Sequence, residues 1–232
     1  KEELITAIEA LHEREISVYL DAVMNHKAGA DETERFMAQE VDPNDRNKAI
    51  SDPYEIEGWT KFNFDGRNNK YSDFKWHWYH FNGTDYNNIN KKTAIYKMTG
   101  DGKNWDQGVD DENGNYDYLM FANIDYERGD VVEEMKRWGV WVANELDLDG
   151  FRLDAIKHIN NNFIEEFLKE VRRVRGEDFY AVGEYWKGDL GSIVEYLDNV
   201  NYQADLFDVP LHFNFFTASK NGSAYDLREV FN

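Results

Sequence analysis

The segment Gly150-Phe151-Arg152-Leu153-Asp154-Ala155-Ile156-Lys157-His158 is the best guide to how this 232-residue chain folds. A glycine begins it, four of its residues are apolar, and a helical pattern follows it. This is typical of a short buried strand in a parallel, helix-covered sheet. Alternate strand residues share a face, so Arg152 and Asp154 point the same way. An ion pair buried at a strand end is costly. The pair therefore indicates either a structural salt bridge or a functional site.

Strands and helices alternate on both sides of this segment. The strands are predicted at residues 16–23, 150–156, 179–184 and 206–211, and the helices at residues 2–14, 130–146, 162–175 and 192–199. Two helix starts are predicted from capping-box spacing, Asp130 with Glu133 and Asn162 with Glu165. Helices that lead into strands through short loops indicate a parallel α/β architecture.

This alternation fits either a doubly wound sheet or part of a (β/α)8 barrel, the TIM barrel. No glycine-rich phosphate-binding motif follows a predicted strand, which argues against nucleotide binding. Polar residues at the C-terminal ends of successive strands favour the barrel, because those ends converge on one site. These residues are Asp21, Asn25, His26, Arg152, Asp154, His158, Glu184 and Asp208.

Residues 27–128 have a different pattern. They show few helical periods and many aromatic residues, with turn signals such as Asn63-Phe64-Asp65-Gly66. Such a composition predicts irregular β structure with long loops. We therefore predict a partial barrel formed by residues 1–26 and 129–232, with a smaller β-rich domain, residues 27–128, inserted after the first strand.

The charge and composition limit the kinds of ligand. The 46 acidic residues outnumber the 26 basic ones and give a formal charge of −20, which argues against nucleic acid or an anionic membrane as partner. Cysteine is absent, so disulfides, thiolate metal sites and a cysteine nucleophile are excluded. No apolar run approaches the roughly 20 residues that span a bilayer. The 16% aromatic residues suit a core and the faces of sugar rings equally.

Asp154 and Glu184 are the candidate reacting groups. Both lie at the ends of predicted strands that are neighbours in the chain order, so their carboxyl groups are expected to lie close together. Two close carboxyls in different surroundings titrate differently, and the one beside an arginine stays charged. Glycoside hydrolysis needs such a nucleophile and acid. Two unrelated structural carboxylates remain an equal alternative on spacing alone.

Three ordered motifs resemble the signature regions of the α-amylase family, glycoside hydrolase family 13. They are Asp21-Ala22-Val23-Met24-Asn25-His26, the segment 150–158 and Val182-Gly183-Glu184-Tyr185-Trp186. The resemblance extends over essentially the whole chain, and the insertion is similar to the family's domain B. Residues 27–32 and 107–115 are most similar to the liquefying and bacterial intracellular branch.

This resemblance implies retaining endo-hydrolysis of α-1,4-glucosidic bonds in starch, glycogen and maltooligosaccharides. Asp154 would be the nucleophile and Glu184 the general acid and base, while Arg152 would hold Asp154 ionised. The remaining roles would concern substrate binding. Asp21 and His26 would surround the reacting sugar, and Lys157, His158 and Trp186 would contact sugars on the leaving-group side.

The family also has a structural calcium ion between domain B and the barrel. Its ligands here would be the side chains of Asn25, Asp117 and Asn123 and the backbone carbonyl of His158. Oxygen donors from distant segments are what a hard cation needs.

A second cation cluster of the family would use Asp106 and Asp125. Asn82 and Glu127 depart from its pattern, which argues against additional cations. The acidic pair Asp110 and Asp111 is instead interpreted as part of a solvated loop.

Other functions remain open on the same scaffold. A transglycosylase, an exo-acting or α-1,6-glucosidase, and a non-catalytic carbohydrate-binding module are the alternatives. The family pattern has further strands before residue 1, and a fourth region with another aspartate beyond residue 232. We therefore expect the 232 residues alone to be nearly inactive, and the full-length form to be a monomer in the cytoplasm, with secretion as the alternative location.

Overall fold

The computed structural model describes residues 1–231, which form one parallel and one antiparallel β-sheet with flanking helices. The predicted barrel segment ends at residue 232, which lies outside the described residues. Along the described chain the strands are β1 (Tyr19–Ala22), β2 (His26–Lys27), β3 (Glu32–Asp42), β4 (Asp45–Ala49), β5 (Tyr54–Lys61), β6 (Phe81–Asn87), β7 (Lys92–Met98), β8 (Ala122–Ile124), β9 (Gly150–Leu153), β10 (Tyr180–Gly183) and β11 (Asp205–Leu206). The helices are α1 (Glu2–His12), α2 (Gly129–Glu145), α3 (Asn161–Arg175), α4 (Leu190–Asn199) and α5 (Val209–Asn221).

The parallel sheet has the strand order β1-β9-β10-β11. In its register, Arg152 on β9 lies opposite Asp21 on β1 and Val182 on β10. Each step between these strands passes through a helix or, between β1 and β9, through the second sheet and α2. This is the arrangement of consecutive strands in a (β/α)8 barrel, and the predicted α/β class with a partial barrel is confirmed.

Helices α2 and α3 pack on the sheet through apolar side chains at helical spacing. Phe151 of β9 is fully buried, and its ring lies 5.8 Å from that of Phe167 on α3 and 6.5 Å from that of Trp138 on α2. Val131 and Val171 are also fully buried on these two helices. Burial of these faces, rather than helix propensity alone, holds the helices in place.

The antiparallel sheet has the order β2-β8-β6-β7-β3-β4, and β5 pairs with β3. The sequence predicted irregular β structure with long loops for this region, whereas the structure has long, regularly paired strands. Strand β3 has 11 residues and β5 has eight, and Phe36 lies opposite Ile56 in an extended register. On β3, the buried residues Phe36 and Ala38 alternate with the exposed residues Arg35 and Met37. One face of the strand therefore packs on the core and the other faces solvent.

The predicted fourth strand is wrong over most of its length. Only Asp205–Leu206 is a strand, and α5 begins at Val209. Asp208 is the N-cap of this helix, because its carboxylate accepts a hydrogen bond from the backbone N–H of Leu211, and Pro210 lies in the first turn. An aspartate followed by proline is a helix-start signal, which outweighs the apolar run around it.

The two predicted capping boxes also differ from the structure. The N-cap of α3 is Asn160, whose side chain accepts from the N–H groups of Asn162 and Phe163. Helix α2 begins after Arg128 without a side-chain cap, and Asp130 instead pairs with the Arg128 guanidinium at 2.6 Å. The spacing alone did not show which polar residue accepts the first N–H groups.

Two local features set the shape of the sheet edge next to the site. Ala155 has a positive φ of 51°, so the chain turns sharply after β9. The following turn then packs on β10 at Gly183, where an added Cβ would lie 2.0 Å from Cδ1 of Ile156. A side chain at Gly183 would push this turn away. The glycine therefore allows the ends of β9 and β10 to lie close together.

Candidate active site

The predicted catalytic residues lie at the C-terminal ends of adjacent strands. Asp21 is on β1, Arg152 is on β9, and Asp154 and Glu184 directly follow β9 and β10. Because β1, β9 and β10 are hydrogen-bonded neighbours, these four side chains meet at one edge of the sheet. The structure thus brings together residues that are up to 163 positions apart in sequence, from Asp21 to Glu184.

The Arg152 guanidinium binds three carboxylates. Its Nη1 lies 2.6 Å from Oδ1 of Asp154 and 2.7 Å from Oδ1 of Asp21, and its Nη2 lies 3.0 Å from Oε2 of Glu184. Three acidic side chains thus surround one guanidinium at the strand ends. Carboxylates placed in this way can stabilise positive charge that develops on a bound molecule.

This geometry differs from the expected division between the two candidate carboxyls. Arg152 contacts both Asp154 and Glu184, and their side chains are similarly exposed, at 23% and 27%. The ion pairs alone therefore do not distinguish a nucleophile from an acid. That assignment depends on which face of the substrate each carboxyl meets.

Backbone hydrogen bonds hold the main chain at both candidate reacting residues. The N–H of Asp154 donates to the carbonyl of Ala22 at 3.1 Å, and the N–H of Glu184 donates to the carbonyl of Leu153 at 2.9 Å. The N–H of Ala155 donates to Oε2 of Glu184 at 3.2 Å. The sharp turn at Ala155 aims this N–H at the carboxylate. Asp154 and Glu184 are thus hydrogen-bonded through their main chain to the neighbouring strands.

Lys157 and Trp186 form a second part of the site. Nζ of Lys157 donates to the carbonyl of Trp186 at 3.1 Å and pairs with Glu112 at 2.8 Å. The Trp186 ring is 45% exposed and lies 5.0 Å from the ring of His212 on α5. An exposed, supported aromatic ring is a suitable surface for a sugar.

The two predicted histidines have different surroundings. His26 lies beside Asn25, with Nδ1 3.2 Å from the side-chain oxygen, and its ring is 5.7 Å from that of Phe121. His158 is buried, and its Nδ1 lies 2.6 Å from the carbonyl of Tyr116. Burial lowers the pKa of His26 and lowers the pKa of His158 to about 4. Both are therefore neutral hydrogen-bonding groups at neutral pH.

The predicted calcium ligands meet between the two sheets. Nδ2 of Asn25 lies 3.0 Å from the carbonyl oxygen of His158 and 3.2 Å from that of Asp117. Nδ2 of Asn123 donates to Oδ1 of Asp117 at 2.9 Å, while the buried Oδ1 of Asn123 has no partner. Turning the Asn25 amide over would direct its oxygen towards the same two carbonyls. These groups therefore fit a hard cation.

Burial and neighbouring negative charge also raise the pKa values of Asp106 and Asp117 above the ordinary range. The cluster is thus short of positive charge. Within residues 1–231, no three His, Cys, Asp or Glu side chains converge as a metal site, so the expected set combines the Asp117 carboxylate with amide and carbonyl oxygens.

A lysine occupies the other predicted cation cluster. Nζ of Lys103 lies 2.5 Å from Oδ2 of Asp125 and donates to the carbonyls of Tyr79 and Phe81 at 2.6 and 2.8 Å. The side chains of Lys103 and Asp125 are 4% and 1% exposed. An ammonium group here supplies positive charge beside the buried Asp125 carboxylate. Lys103 could not be recognised from sequence, because its partners Tyr79, Phe81 and Asp125 are more than 20 positions away.

The interpretation of Asp110 as a solvated loop residue is wrong. Its side chain is 2% exposed, and it is bonded to the side chains of Tyr185 and Lys187, whereas the Asp111 side chain is 94% exposed as expected. Burial alone would raise the pKa of Asp110. The hydrogen bonds from Tyr185, Lys187 and the Glu112 N–H outweigh it and hold the pKa below its ordinary value.

Comparison with known proteins identifies the family to which the chain belongs. The family model described as "Alpha amylase, catalytic domain" matches residues 1–230. The chain belongs to the alpha-amylase family. It is 54% identical over its whole length to an alpha-amylase of Bacillus licheniformis and 41% identical to the cytoplasmic alpha-amylase of Escherichia coli. It is also 50% identical to a glucan 1,4-alpha-maltohexaosidase of Bacillus sp. (strain 707).

Solved structures of similar fold cover nearly all of this alpha-amylase family chain. An Anoxybacillus alpha-amylase matches 93% of it with a TM-score of 0.55 and 23% identity. An alpha-amylase of Geobacillus thermoleovorans in complex with acarbose matches 97% with a TM-score of 0.54 and 21% identity. At these identities the likeness shows the fold alone.

The chain spans about half the length of the curated relatives it matches, with 45% of the Bacillus licheniformis protein covered. None of the helices within residues 1–231 is long and apolar enough to cross a membrane.

Proposed function

We propose that the protein containing this chain is an α-amylase that hydrolyses internal α-1,4-glucosidic bonds with retention of configuration. The observation that carries the proposal is the Arg152 guanidinium bound to Asp154 and Glu184 at two adjacent strand ends. A retaining mechanism requires two neighbouring carboxyl groups, and two carboxyls on one guanidinium are neighbours. The family membership and the names of the relatives give the same reaction class.

The reaction would take place in two displacements. In the first, Oδ of Asp154 attacks the anomeric carbon, and the bond to the leaving-group oxygen breaks as Glu184 gives that oxygen its proton. In the second, Glu184 takes a proton from water, whose oxygen displaces Asp154 from the sugar. The carboxylate and the acid are thereby regenerated.

The other side chains have supporting roles. Arg152 holds Asp21, Asp154 and Glu184 in one constellation, so the reacting groups need little rearrangement. Lys157 and Trp186 face the sugars of the leaving group and orient the bond for cleavage.

The test uses the natural polypeptide that carries this sequence and compares wild type with Glu184→Gln on maltoheptaose. We expect wild type to give a mixture of internal cleavage products, and Glu184→Gln to lose activity by at least about 1,000-fold while still binding the oligosaccharide. Glu195→Gln, on the exposed face of α4, is the matched control and should keep activity. Elongated products would indicate a transglycosylase, glucose or maltohexaose alone an exo-acting enzyme, and an active Glu184→Gln would contradict the assignment.

We propose in addition that the oxygen cluster of Asn25, Asp117, Asn123 and the His158 carbonyl binds one calcium ion. The support is the excess of oxygen atoms there, including the unpartnered Oδ1 of Asn123. A bound cation would neutralise the buried carboxylates and connect the two sheets, and it would take no part in bond cleavage.

We propose that the full-length protein is a monomer located in the cytoplasm. Free calcium is scarce there, and amide groups in place of carboxylates weaken the cation sites. The similarity to the cytoplasmic enzyme of Escherichia coli agrees with this location. Detection of the protein in the culture medium of its native cells, or a dimer mass by light scattering, would contradict the respective proposal.

A further inference from the structure

One buried carboxylate connects the inserted region to the chain on both sides of Trp186. Oδ2 of Asp110 accepts hydrogen bonds from the Tyr185 hydroxyl and from Nζ of Lys187, the latter at 2.9 Å. Its Oδ1 accepts from the N–H of Glu112 at 2.9 Å. Both oxygen atoms of this carboxylate, which is 2% exposed, therefore have hydrogen-bond donors.

The same loop is fixed to the barrel by its backbone. The N–H of Asp110 donates to the carbonyl of Lys157 at 2.9 Å, and the carbonyl of Gly108 accepts from the N–H of Asn161 at 2.9 Å. Two residues further on, Glu112 pairs with Nζ of Lys157. The loop is thus held rigidly, so the Asp110 side chain is a fixed point to which Tyr185 and Lys187 are tied.

Between these two anchored residues, Trp186 has little freedom. The N–H of Lys187 donates to the carbonyl of Tyr185 at 2.9 Å, which closes a tight turn around Trp186. The Trp186 carbonyl faces Nζ of Lys157, and its ring is left exposed beside His212. The bonds to Asp110 therefore determine where this ring stands relative to Glu184, two residues away.

We propose that Asp110 is a positioning residue that presents Trp186 to the sugars on the leaving-group side of the cleaved bond. This inference rests on the proposed function. It assigns Asp110 a role in the binding of the sugar units that follow the cleaved bond. Asp110 does not touch the reacting atoms. Its loss should therefore matter only when a sugar must lie on Trp186.

The experiment compares two substrates that differ in their leaving group. Maltoheptaose places glucose units on the leaving-group side, whereas an aryl maltotrioside releases a nitrophenol and needs no sugar contact there. For Asp110→Asn we expect kcat/KM to fall about 10-fold on maltoheptaose, mainly through KM, and to change less than about 3-fold on the aryl substrate. Asp111→Asn is the matched control. Its carboxylate is 94% exposed and lies 3.5 Å from Nζ of Lys187, so solvent screens this contact and both values should change by less than about 2-fold.

A double-mutant cycle tests the connection to Trp186. Trp186→Ala should reproduce the substrate-selective loss, and Asp110→Asn should add little to it, because both changes affect the same contact. Lys187→Gln removes one of the bonds to Asp110 and should give a smaller loss of the same kind, which keeps the test valid if Asp110→Asn folds poorly.

Equal losses on both substrates, or additive effects with Trp186→Ala, would overturn the proposal. Those results differ from failure of the proposed function, in which wild type would cleave neither substrate or Glu184→Gln would remain active.

Discussion

At the scale of single residues, Arg152 has the most demanding position. Its guanidinium presents several N–H groups in one plane, and three carboxylates from three strand ends use them. A lysine would keep the charge but offers one compact ammonium group, which cannot reach all three partners at these distances. The planar group, in addition to the charge, is therefore what the site requires.

This difference gives a direct prediction for Arg152→Lys. We expect kcat/KM on maltoheptaose to fall by about 100-fold or more, because Asp154 and Glu184 lose their shared partner and their fixed separation. The melting temperature should change by only a few degrees, since the side chain is 25% exposed. The control Arg173→Lys changes a surface pair with Glu170 and should have no effect on rate. A near-normal rate for Arg152→Lys would show that charge alone is sufficient.

At the scale of elements, the packing of α2 on α3 depends on a glycine inside a helix. An added Cβ at Gly139 would lie 2.3 Å from Cε2 of Phe167, a buried residue of α3. Glycine normally weakens a helix interior by about 1 kcal/mol relative to alanine. The absence of a side chain at Gly139 lets Phe167 lie against α2 while it also packs on Phe151 of β9. This packing compensates for the lower helix propensity of glycine.

We predict that Gly139→Ala destabilises the protein although alanine is the better helix former. The expected loss in the free energy of unfolding is about 1 to 3 kcal/mol, as for overpacked cores, measured by urea denaturation. Gly129→Ala, in the first turn of the same helix, is the control, because an added Cβ there meets no atom within 4 Å. It should be neutral or slightly stabilising. A stabilised Gly139→Ala would mean that the helices separate easily.

The elements also show which parts of the fold the sequence could predict. The strand β9 and the helices α2 and α3 follow from local apolar patterns, and the structure confirms them. Strand β11 and the helix starts were mispredicted because more than one polar residue near each start could cap the helix, and spacing did not show that Asn160 and Asp208 accept the first N–H groups. The insertion looked irregular because its strand pairs, such as β3 with β5, are visible only in three dimensions.

The candidate site shows the same division. Asp154 and Glu184 were predicted from their positions at strand ends, and the structure brings them to one guanidinium. Asp110 and Lys103 were missed because acidic and basic residues in a loop are usually solvated, and only the fold shows that they are buried. The nearby Tyr185 and Lys187 were the available signal for Asp110, since a buried carboxylate needs donors.

At the scale of the whole molecule, the two sheets are joined by apolar and polar contacts. One hydrophobic cluster includes Phe81 of the antiparallel sheet and Phe151 of the parallel sheet. Beside it lies the oxygen cluster, to which Asn25 and His158 contribute from the parallel side and Asp117 and Asn123 from the inserted region. Apolar contacts give little orientational preference, whereas bonds from fixed oxygens do. The proposed calcium would therefore set the relative position of the two sheets.

Removal of calcium tests this role. We expect a chelator to lower the melting temperature of the wild-type protein by several degrees, and added Ca²⁺ to restore it, because a ligand that binds only the folded state stabilises it. Asn25→Ala should have the lower melting temperature in both conditions, since it loses one ligand and the hydrogen bonds to two carbonyls. The control Asn47→Ala removes an exposed bond to the Gly114 carbonyl and should retain the response to Ca²⁺. If wild type and Asn25→Ala respond equally to the chelator, the cation binds elsewhere, and if neither responds, the buried carboxylates are held by protons and protein donors instead.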